Sequence, residues 1–357
     1  MKYIYKTKTS IMLRIPSFWS VLFLFVSFSA ARAQSTYLPY NAATYNTFDR
    51  YEVLSGRIDP YVHSSQKPYS REYIVRYIDS LPSQVLSSKA DSFNIQYHQI
   101  DSWEWSHKPV AESQKPFLKH FYRYKADAYS VNINDFDLHV NPVVYFSGGS
   151  KAGNPTANYT FLNTRGIEMR GRIADRVGFY TLFTDNQGAF PDYVNNRVLY
   201  NTPDSSTTPV VPYEAFAKTF KTNGYDFITA RGYITFELVK KYISLQFGYD
   251  KNFIGNGYRS LILSDVGGPY TFMKLNTKIW KFNYQNIFAQ MTAQTGDAGL
   301  LYPKKYMALH HLSLNVTKNF NIGVFESIVF GRQDSLKLGS FDIAYLNPVI
   351  FYRSIEQ

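Results

Sequence analysis

The stretch Tyr242-Ile-Ser-Leu-Gln-Phe-Gly-Tyr-Asp250 decides the fold class, because apolar and polar side chains alternate along it without a break. Ile243, Leu245, Phe247 and Tyr249 fall on one face, and small or polar residues fall on the other. A period of two is the pattern of a β-strand with one apolar and one polar face. The stretch therefore predicts a strand in a two-faced antiparallel sheet.

The same alternation recurs along the chain. In one stretch the polar face carries Glu168, Arg170 and Arg172, and in another it carries Glu237. Such segments are predicted at 142–147, 161–173, 176–186, 226–239, 241–250, 271–280, 282–295, 307–318, 320–331 and 341–352. Most have about 9–13 residues, which is longer than the usual globular strand and close to the length of a tilted transmembrane strand.

The connections between these segments differ in length. Ala174-Asp175, Lys240-Lys241, Lys281 and Asn319 leave room only for tight turns, whereas a long polar loop spans 185–223. Outer-membrane barrels have short turns at one rim and long loops at the other. The sequence therefore favours an antiparallel transmembrane β-barrel over a soluble sandwich. In such a barrel the apolar side chains face lipid and the charged ones face a wet lumen.

The first 33 residues have the pattern of a secretory signal. Basic residues from Lys2 to Arg14 precede an apolar stretch, and Ala31-Arg32-Ala33 is a small-x-small cleavage site. The alternative is a transmembrane helix, but Pro16 and several serines leave too short an apolar run to cross about 30 Å of hydrocarbon. We therefore predict export, with the mature chain in the cell outer membrane.

Amphipathic helices are predicted between the signal and the strands. They begin near Asn41, Ser70 and Pro116, where a capping residue or a proline precedes an apolar stripe. The predicted organisation is a signal peptide at 1–33, a periplasmic helical region at 34–130 and an outer-membrane β-barrel at 131–357.

The composition and the motifs of the sequence exclude several classes of function. The 357 residues include no cysteine, which excludes a disulfide scaffold, a Cys-ligated metal site and a thiol nucleophile. The net charge of +11 at pH 7 is scattered, so we expect no nucleic-acid partner. His310 and His311 are adjacent in a predicted strand and point to opposite faces, so they cannot both bind one metal ion. With no catalytic signature in the sequence, we expect a non-enzymatic protein without a cofactor.

The segment Gly248-Tyr-Asp-Lys-Asn-Phe-Ile-Gly-Asn-Gly-Tyr-Arg-Ser-Leu261 resembles a signature of Bacteroidetes outer-membrane proteins. These belong to the capsule-assembly family named for Wzi, which includes the gliding-motility protein RemB. Tyr37-Leu-Pro39, Lys67-Pro-Tyr-Ser-Arg71 and Asn347-Pro348 are similar to other parts of that family. The resemblance implies a barrel of about 18 strands behind a periplasmic helical domain, acting as a lectin for capsular polysaccharide. It also implies that this chain, with fewer predicted strands, is incomplete at its C-terminus.

Candidate site residues come from the polar faces of the strands and from the signature segment. The residues predicted to line the lumen or to bind polysaccharide are Glu168, Arg170, Arg172, Arg231, Glu237, Asp250 and Arg259. Those on the strands are interpreted as ion pairs that brace the barrel wall, and the alternative is that their arginines attract an anionic glycan. Gly255 and Gly257 are predicted to shape a structural turn. That turn would either pair Asp250 with Arg259 or fold the segment into the lumen.

Taken together, these features predict a partial antiparallel transmembrane β-barrel that binds or anchors surface polysaccharide without catalysis. The expected partners are outer-membrane lipid, surface polysaccharide and other cell-envelope proteins. Two alternatives stay open: a component of a gliding-motility or adhesion complex, and a channel for small polar solutes. Capsule staining of a deletion strain separates the first of these from polysaccharide anchoring, and conductance in planar bilayers tests the second.

Overall fold

The fold is taken from a computed structural model of the chain. It describes residues 35–40, 42–60, 62–82, 88–106, 121–124, 126–151, 159–174, 176–201, 208–214, 216–221, 223–292, 304–331, 341, 343–347 and 351–354. The predicted signal peptide and the predicted helix start at Pro116 lie outside these residues.

One large antiparallel sheet dominates the described residues. The strands in chain order are β1 (Gln66–Lys67), β2 (Tyr129–Ile133), β3 (Phe136–Ser150), β4 (Tyr159–Ile173), β5 (Val177–Ala189), β6 (Lys218–Phe220), β7 (Gly224–Val239), β8 (Ile243–Asp250), β9 (Phe253–Ile254), β10 (Tyr270–Ile279), β11 (Phe282–Thr292), β12 (Lys304–Thr317) and β13 (Phe320–Phe330). Eleven of them form the sheet in the order β13-β12-β11-β10-β8-β7-β5-β4-β3-β2, with β6 beside β7. This confirms the prediction of a mostly β, antiparallel chain.

Nine of the ten predicted segments lie in strands of this sheet. The prediction of a tenth strand at 341–352 was wrong. The described residues there form two short 3-10 turns, Ile343–Leu346 and Tyr352–Ser354. Their aromatic side chains, including Tyr345 and Tyr352, pack on the sheet. A short apolar run has the same pattern whether it pairs as a strand or packs as a turn, so periodicity could not separate the two.

The helices of the described residues are α1 (Ala42–Ser55), α2 (Arg71–Asp79), α3 (Lys89–Asp101) and α4 (Asp192–Asn201). The first two confirm the predicted helices, since Gly56 ends α1 at a φ of 62° and Ser70 precedes α2. The helix α3 was not predicted, and Phe121, which follows the predicted helix start at Pro116, bridges to Tyr129 of β2. No described helix is both long and apolar enough to cross a membrane.

The helical region, defined here as residues 35–106, has an apolar core of its own. Tyr45 and Tyr69 lie at its centre, with ring centroids 4.8 Å apart. The other buried members are Leu38, Phe48, Tyr51, Ile74, Tyr77, Ile78, Leu81 and Ile95. Because α1, α2 and α3 all contribute to this core, the helical region is a packed unit and not a set of separate helices.

The helical region covers one face of the sheet, which we call the inner face. The Tyr233 hydroxyl in β7 accepts a hydrogen bond from the backbone N–H of Tyr37 at 2.8 Å. At one end of the sheet Arg170 in β4 donates to Glu104, and at the other end Ser313 in β12 hydrogen-bonds His63. The contacts therefore extend across most of the sheet.

The two faces of the sheet have inverted polarity. Polar side chains of the inner face are buried: Asp137, His139, Arg170, Thr184, Asn186, Thr229, Thr235, Gln246, Lys274, Gln285, His311, Ser313 and Asn315. The outer face is apolar and uncovered over most strands, and Val144 and Phe146 are 78% and 75% exposed. Other exposed apolar side chains of this face are Ile167, Phe183, Ile228, Ile234 and Phe247. A water-soluble sheet shows the opposite arrangement.

Parts of each face depart from this pattern, including the Arg165–Asp185 ion pair on the outer face. On the inner face Phe272, Ile287 and Leu309 form an apolar patch, covered by the segment 251–269 that includes Ile254 and Leu263. On the outer face a polar stripe of Asn286, His310 and Glu326 crosses β11, β12 and β13. The ring of Tyr352 packs 4.2 Å from that of His310, so the chain itself covers part of the polar stripe.

Five tight turns of the described residues lie at the same rim of the sheet, which we call the turn rim. They join β2 to β3, β4 to β5, β7 to β8, β10 to β11 and β12 to β13, and alternate connections of an antiparallel sheet fall on one edge. Ala174, Lys241 and Trp280 adopt positive φ angles of 51°, 67° and 54° in three of them. The long connections, including α4 and 251–269, start from the opposite rim.

Candidate functional site

A cavity of about 870 Å³ lies between the helical region and the inner face, at the turn rim. Tyr73 and Arg76 of α2 form one wall of it. The opposite wall comes from β7, β8, β10 and β11, and includes the turn residues Lys240 and Lys241. The cavity therefore exists only because the helical region is seated on the sheet.

Aromatic rings line this cavity. Tyr242 and Trp280 lie at the turn rim and are 53% and 73% exposed, so their faces are open to a ligand. Deeper in the cavity, the Arg172 guanidinium lies 4.7 Å from the ring of Trp105, and Lys278 Nζ lies 4.7 Å from the ring of Tyr73. Flat rings with a polar edge are surfaces on which the apolar face of a sugar can stack.

Positive charge exceeds negative charge around the cavity. The basic residues of the lining are Arg76, Arg172, Lys240, Lys241 and Lys278, and the acidic ones are Glu72 and Glu237. Arg76 pairs with Glu72 at 2.7 Å, and Glu237 accepts the backbone N–H of Lys241. Burial raises the pKa of Glu72, which Arg76 partly offsets.

The floor of the cavity is a set of buried polar groups. His63 Nδ1 lies 2.7 Å from Ser313 Oγ, and Asn283 donates its amide to Gln66. Three further atoms at the floor have no hydrogen-bond partner in the described part of the chain: His63 Nε2, Asn283 Oδ1 and Gln285 Oε1. Burial, together with the nearby Lys278, lowers the pKa of His63 to about 4, so its imidazole is neutral at pH 7. Buried polar atoms of this kind normally find partners.

Of the predicted site residues, Arg172 and Glu237 line the cavity. Arg172 also pairs with Asp137 on the neighbouring strand. The other two charged residues of that strand, Glu168 and Arg170, lie elsewhere on the inner face. Two of the seven candidate site residues predicted from the sequence therefore line the cavity.

Arg170 belongs to a buried charge cluster that joins the sheet to the helical region. Its guanidinium donates to Glu104 Oε1 at 2.6 Å and to the Asp101 carbonyl at 2.7 Å, and Arg71 pairs with the Asp101 carboxylate at 2.6 Å. Burial alone would raise the pKa of Asp101, but Arg71 and Arg170 hold it below its ordinary value. Glu168 interacts electrostatically with the same two arginines. These pairs brace the helical region against the sheet.

The remaining candidates lie toward the opposite rim. Arg231 pairs with Glu214 at 3.1 Å, and the carboxylate of Asp250 accepts the backbone N–H of Lys251 at 2.8 Å. Arg259 is exposed, and no ion pair joins it to Asp250 among the described residues. The predicted pairing of these two residues was therefore wrong.

The segment after Asp250 instead folds onto the inner face of the sheet. Its strand β9 pairs with β1 of the helical region, placing Ile254 opposite Gln66. The backbone N–H of Gly255 donates to Ser65 at 2.7 Å, and Gly255 has a φ of 145° that other residues rarely adopt. At Gly257 a Cβ would lie 2.8 Å from the carbonyl oxygen of Arg259. Both glycines are needed for this turn.

Sequence reasoning missed His63, Gln66, Tyr73, Lys278 and Gln285. The alternation in β10 carries a signal for Lys278, which falls on the polar face of that strand, whereas Gln285 shares its face with Ile287 and Ala289. His63 and Gln66 gave no such signal, because their partners Ser313 and His311 are 250 and 245 positions away in the sequence.

In the part of the chain that the structure describes, no cluster of His, Asp and Glu residues could hold a metal ion. No family model matches the chain, and neither a curated protein nor a solved structure is significantly similar to it. The functional conclusion therefore rests on the geometry of the chain itself.

Proposed function

We propose that this chain forms part of the wall and the filling of an outer-membrane β-barrel, and that it holds polysaccharide in the cavity at the turn rim. The observation that carries the proposal is the inverted polarity of the sheet. Side chains such as Val144, Phe146 and Phe247 are exposed on the outer face, while Lys274 and His311 are buried on the inner one. Burying an apolar side chain of this size stabilises a protein by about 1.5–3 kcal/mol. Lipid would supply that burial for the whole outer face.

The rim asymmetry supports the same proposal. Tight turns at one rim and long connections at the other are typical of bacterial outer-membrane barrels, with the tight turns in the periplasm. The two edge strands of the described sheet, β2 and β13, require partners in this setting. An open edge in hydrocarbon would leave backbone groups unpaired at a cost of several kcal/mol each.

The cavity supports polysaccharide as the ligand. Its volume of about 870 Å³ falls within the usual range for ligand sites, roughly 300–1,000 Å³. Exposed rings at its mouth and amide groups at its floor are suited to the apolar faces and the hydroxyls of sugars. The resemblance of 248–261 to the capsule-assembly family named for Wzi is consistent with this ligand class.

Fractionation of cells tests the membrane part of the proposal. We expect the chain in the outer-membrane fraction, soluble only in detergent. Recovery of a compact, detergent-independent monomer from the periplasmic extract would contradict the proposal. In planar bilayers we expect little conductance, because the helical region covers the inner face. Steady open-channel currents would favour the channel alternative.

Capsule retention tests the glycan part. A deletion strain complemented with the wild type should retain surface polysaccharide, and one complemented with Gln285→Met should retain less at equal protein abundance. The control is Lys281→Gln, at the same rim but outside the cavity lining. Normal retention with both variants would argue against the cavity as the site. Loss of gliding or adhesion with intact polysaccharide would favour the motility alternative.

A further inference from the structure

We propose that the cavity is loaded from the periplasmic side and that its ligand is a short saccharide bearing an anionic group. The inference rests on the proposed function and specifies both the direction of access and the ligand class. It predicts that hydroxyls of the ligand meet the cavity floor while its acidic group meets lysines at the mouth.

The direction of access follows from the residues at the mouth. Lys240, Lys241 and Tyr242 belong to the β7–β8 turn, and Trp280 to the β10–β11 turn. Both are tight turns of the turn rim, which faces the periplasm in a bacterial outer-membrane barrel. On the other side, the segment 251–269 folds onto the inner face and joins the helical region through β9 and β1. The mouth and the covered side are therefore at opposite ends of the sheet.

The buried acceptor atoms at the cavity floor suit a ligand that carries hydroxyl groups. Asn283 Oδ1 and Gln285 Oε1 are acceptors without partners among the described residues, and Gln285 is only 6% exposed. Asn283 lines the cavity and donates its amide to Gln66. His63 Nε2 is a third buried atom without a partner, on a neutral ring that is 3% exposed. A ligand that donates two hydroxyls and pairs with one ring nitrogen satisfies all three atoms.

The lysines at the cavity mouth suit a ligand that carries a negative charge. Two of the five cations around the cavity, Arg76 and Arg172, are already paired with carboxylates. Lys240 and Lys241 are exposed at the mouth, and no ion pair involves their amines in the described part of the chain. Glu237 caps the backbone of the same turn, and Glu72 also interacts electrostatically with Lys241. A carboxylate or phosphate on the ligand would meet these lysines while its sugar rings reach Trp280 and Tyr242.

Binding to matched saccharides tests the ligand class with the full chain in detergent. The acidic probe is a tetrasaccharide of alternating glucuronic acid and N-acetylglucosamine, and its neutral match is the same molecule with reduced carboxyls. Maltotetraose with and without a terminal phosphate forms the second pair, which distinguishes carboxylate from phosphate. Titration calorimetry gives the affinities.

The variant Lys240→Gln/Lys241→Gln should weaken binding of an acidic probe by about 2- to 30-fold and leave its neutral match unchanged, because two exposed charge pairs are lost. Lys281→Gln/Lys318→Gln removes the same charge from the same rim outside the cavity lining, and should change nothing. Gln285→Met should weaken both members of a pair equally. Equal affinity of wild type for acidic and neutral probes would overturn the anionic ligand while leaving polysaccharide binding intact. No binding of any saccharide would overturn both proposals.

Cysteine labelling tests the direction of access, since the chain has no cysteine of its own. Lys281→Cys marks the turn rim, and Tyr193→Cys marks α4 on the opposite side, where Tyr193 is 77% exposed. A large polyethylene glycol maleimide should label Tyr193→Cys in intact cells and should label Lys281→Cys only after the outer membrane is permeabilised. Labelling of Lys281→Cys in intact cells would overturn access from the periplasm.

Discussion

Replacing Arg170 by methionine tests whether buried charge holds the helical region on the sheet. The Arg170 side chain is 3% exposed, and its partner Glu104 is 4% exposed. Methionine fills much of the same space but leaves the Glu104 carboxylate buried without its cation, and Asp127 loses a positive neighbour at 3.8 Å. Removing one partner of a buried ion pair costs about 3–5 kcal/mol. We therefore expect a loss of this size in the free energy of unfolding.

Urea unfolding in detergent, followed by tryptophan fluorescence, measures the effect. Trp103 stacks on Tyr124 with ring centroids 4.1 Å apart and lies next to the charge cluster, so it reports release of the helical region. With a slope of about 2 kcal/mol per M urea, the expected loss lowers the midpoint by about 2 M.

The matched control is Arg76→Met in α2, outside the sheet. Arg76 pairs with Glu72 at 2.7 Å, but the two side chains are 47% and 31% exposed. An exposed pair contributes about 0–1 kcal/mol, so the midpoint should fall by less than about 0.5 M. Equal shifts for Arg170→Met and Arg76→Met would refute the reasoning, because burial would then make no difference to the value of the pair.

Three further perturbations test other parts of the fold. The free energy of unfolding should fall as the pH drops from about 6.5 toward 4, because the unfolded chain binds a proton at His63 and burial prevents the folded chain from doing so. The measurement is a series of urea midpoints over this pH range, and the midpoints should depend less on pH in the His63→Gln variant. Gly248→Val should cost about 1–3 kcal/mol by overpacking, since a Cβ there would lie 2.4 Å from the Cβ of Tyr233; an unchanged thermal midpoint would contradict the close approach. Lys251→Met should speed amide hydrogen exchange at Tyr213, because Lys251 Nζ donates to the Tyr213 carbonyl and ties two loops together; identical exchange would show that the loops hold without it.

The strands were predictable because each depends mainly on its own alternation. From Ile243 to Asp250 every side chain falls on the face that its polarity indicates, and the turns at Ala174 and Lys241 interrupt the pattern where the chain reverses. The helix that was not predicted and the strand that was predicted wrongly also have physical explanations. The helix Lys89–Asp101 carries only a weak apolar stripe, and its start depends on Ser88, whose hydroxyl accepts the N–H of Asp91. The segment at 341–352 is apolar because it packs on the sheet, not because it pairs.

The cavity could be predicted only in part, since local pattern does not give contacts between distant segments. Alternation identified Arg172 and Glu237 as inner-face residues, and both line the cavity. It could not identify His63, whose role depends on Ser313, 250 positions away. Arg170 was expected to brace the sheet wall, but its partner Glu104 belongs to the helical region. A charged residue on a strand indicates a polar face, and only the tertiary structure shows what covers it.

The polar interface between the helical region and the sheet follows from the same inversion that leaves the outer face apolar. If lipid takes the outer face, the inner face must tolerate water until the helical region is seated on it. Hydrogen bonds and ion pairs then replace the apolar contacts that usually join two packed layers, as at Tyr37 with Tyr233 and at Glu104 with Arg170. Each such contact contributes little net free energy to stability, but removing one of its two partners costs several kcal/mol because the other is left buried without a partner. The interface therefore favours one arrangement of the helical region on the sheet. Because Arg170 joins these two parts, its loss can release the helical region and remove the cavity between them.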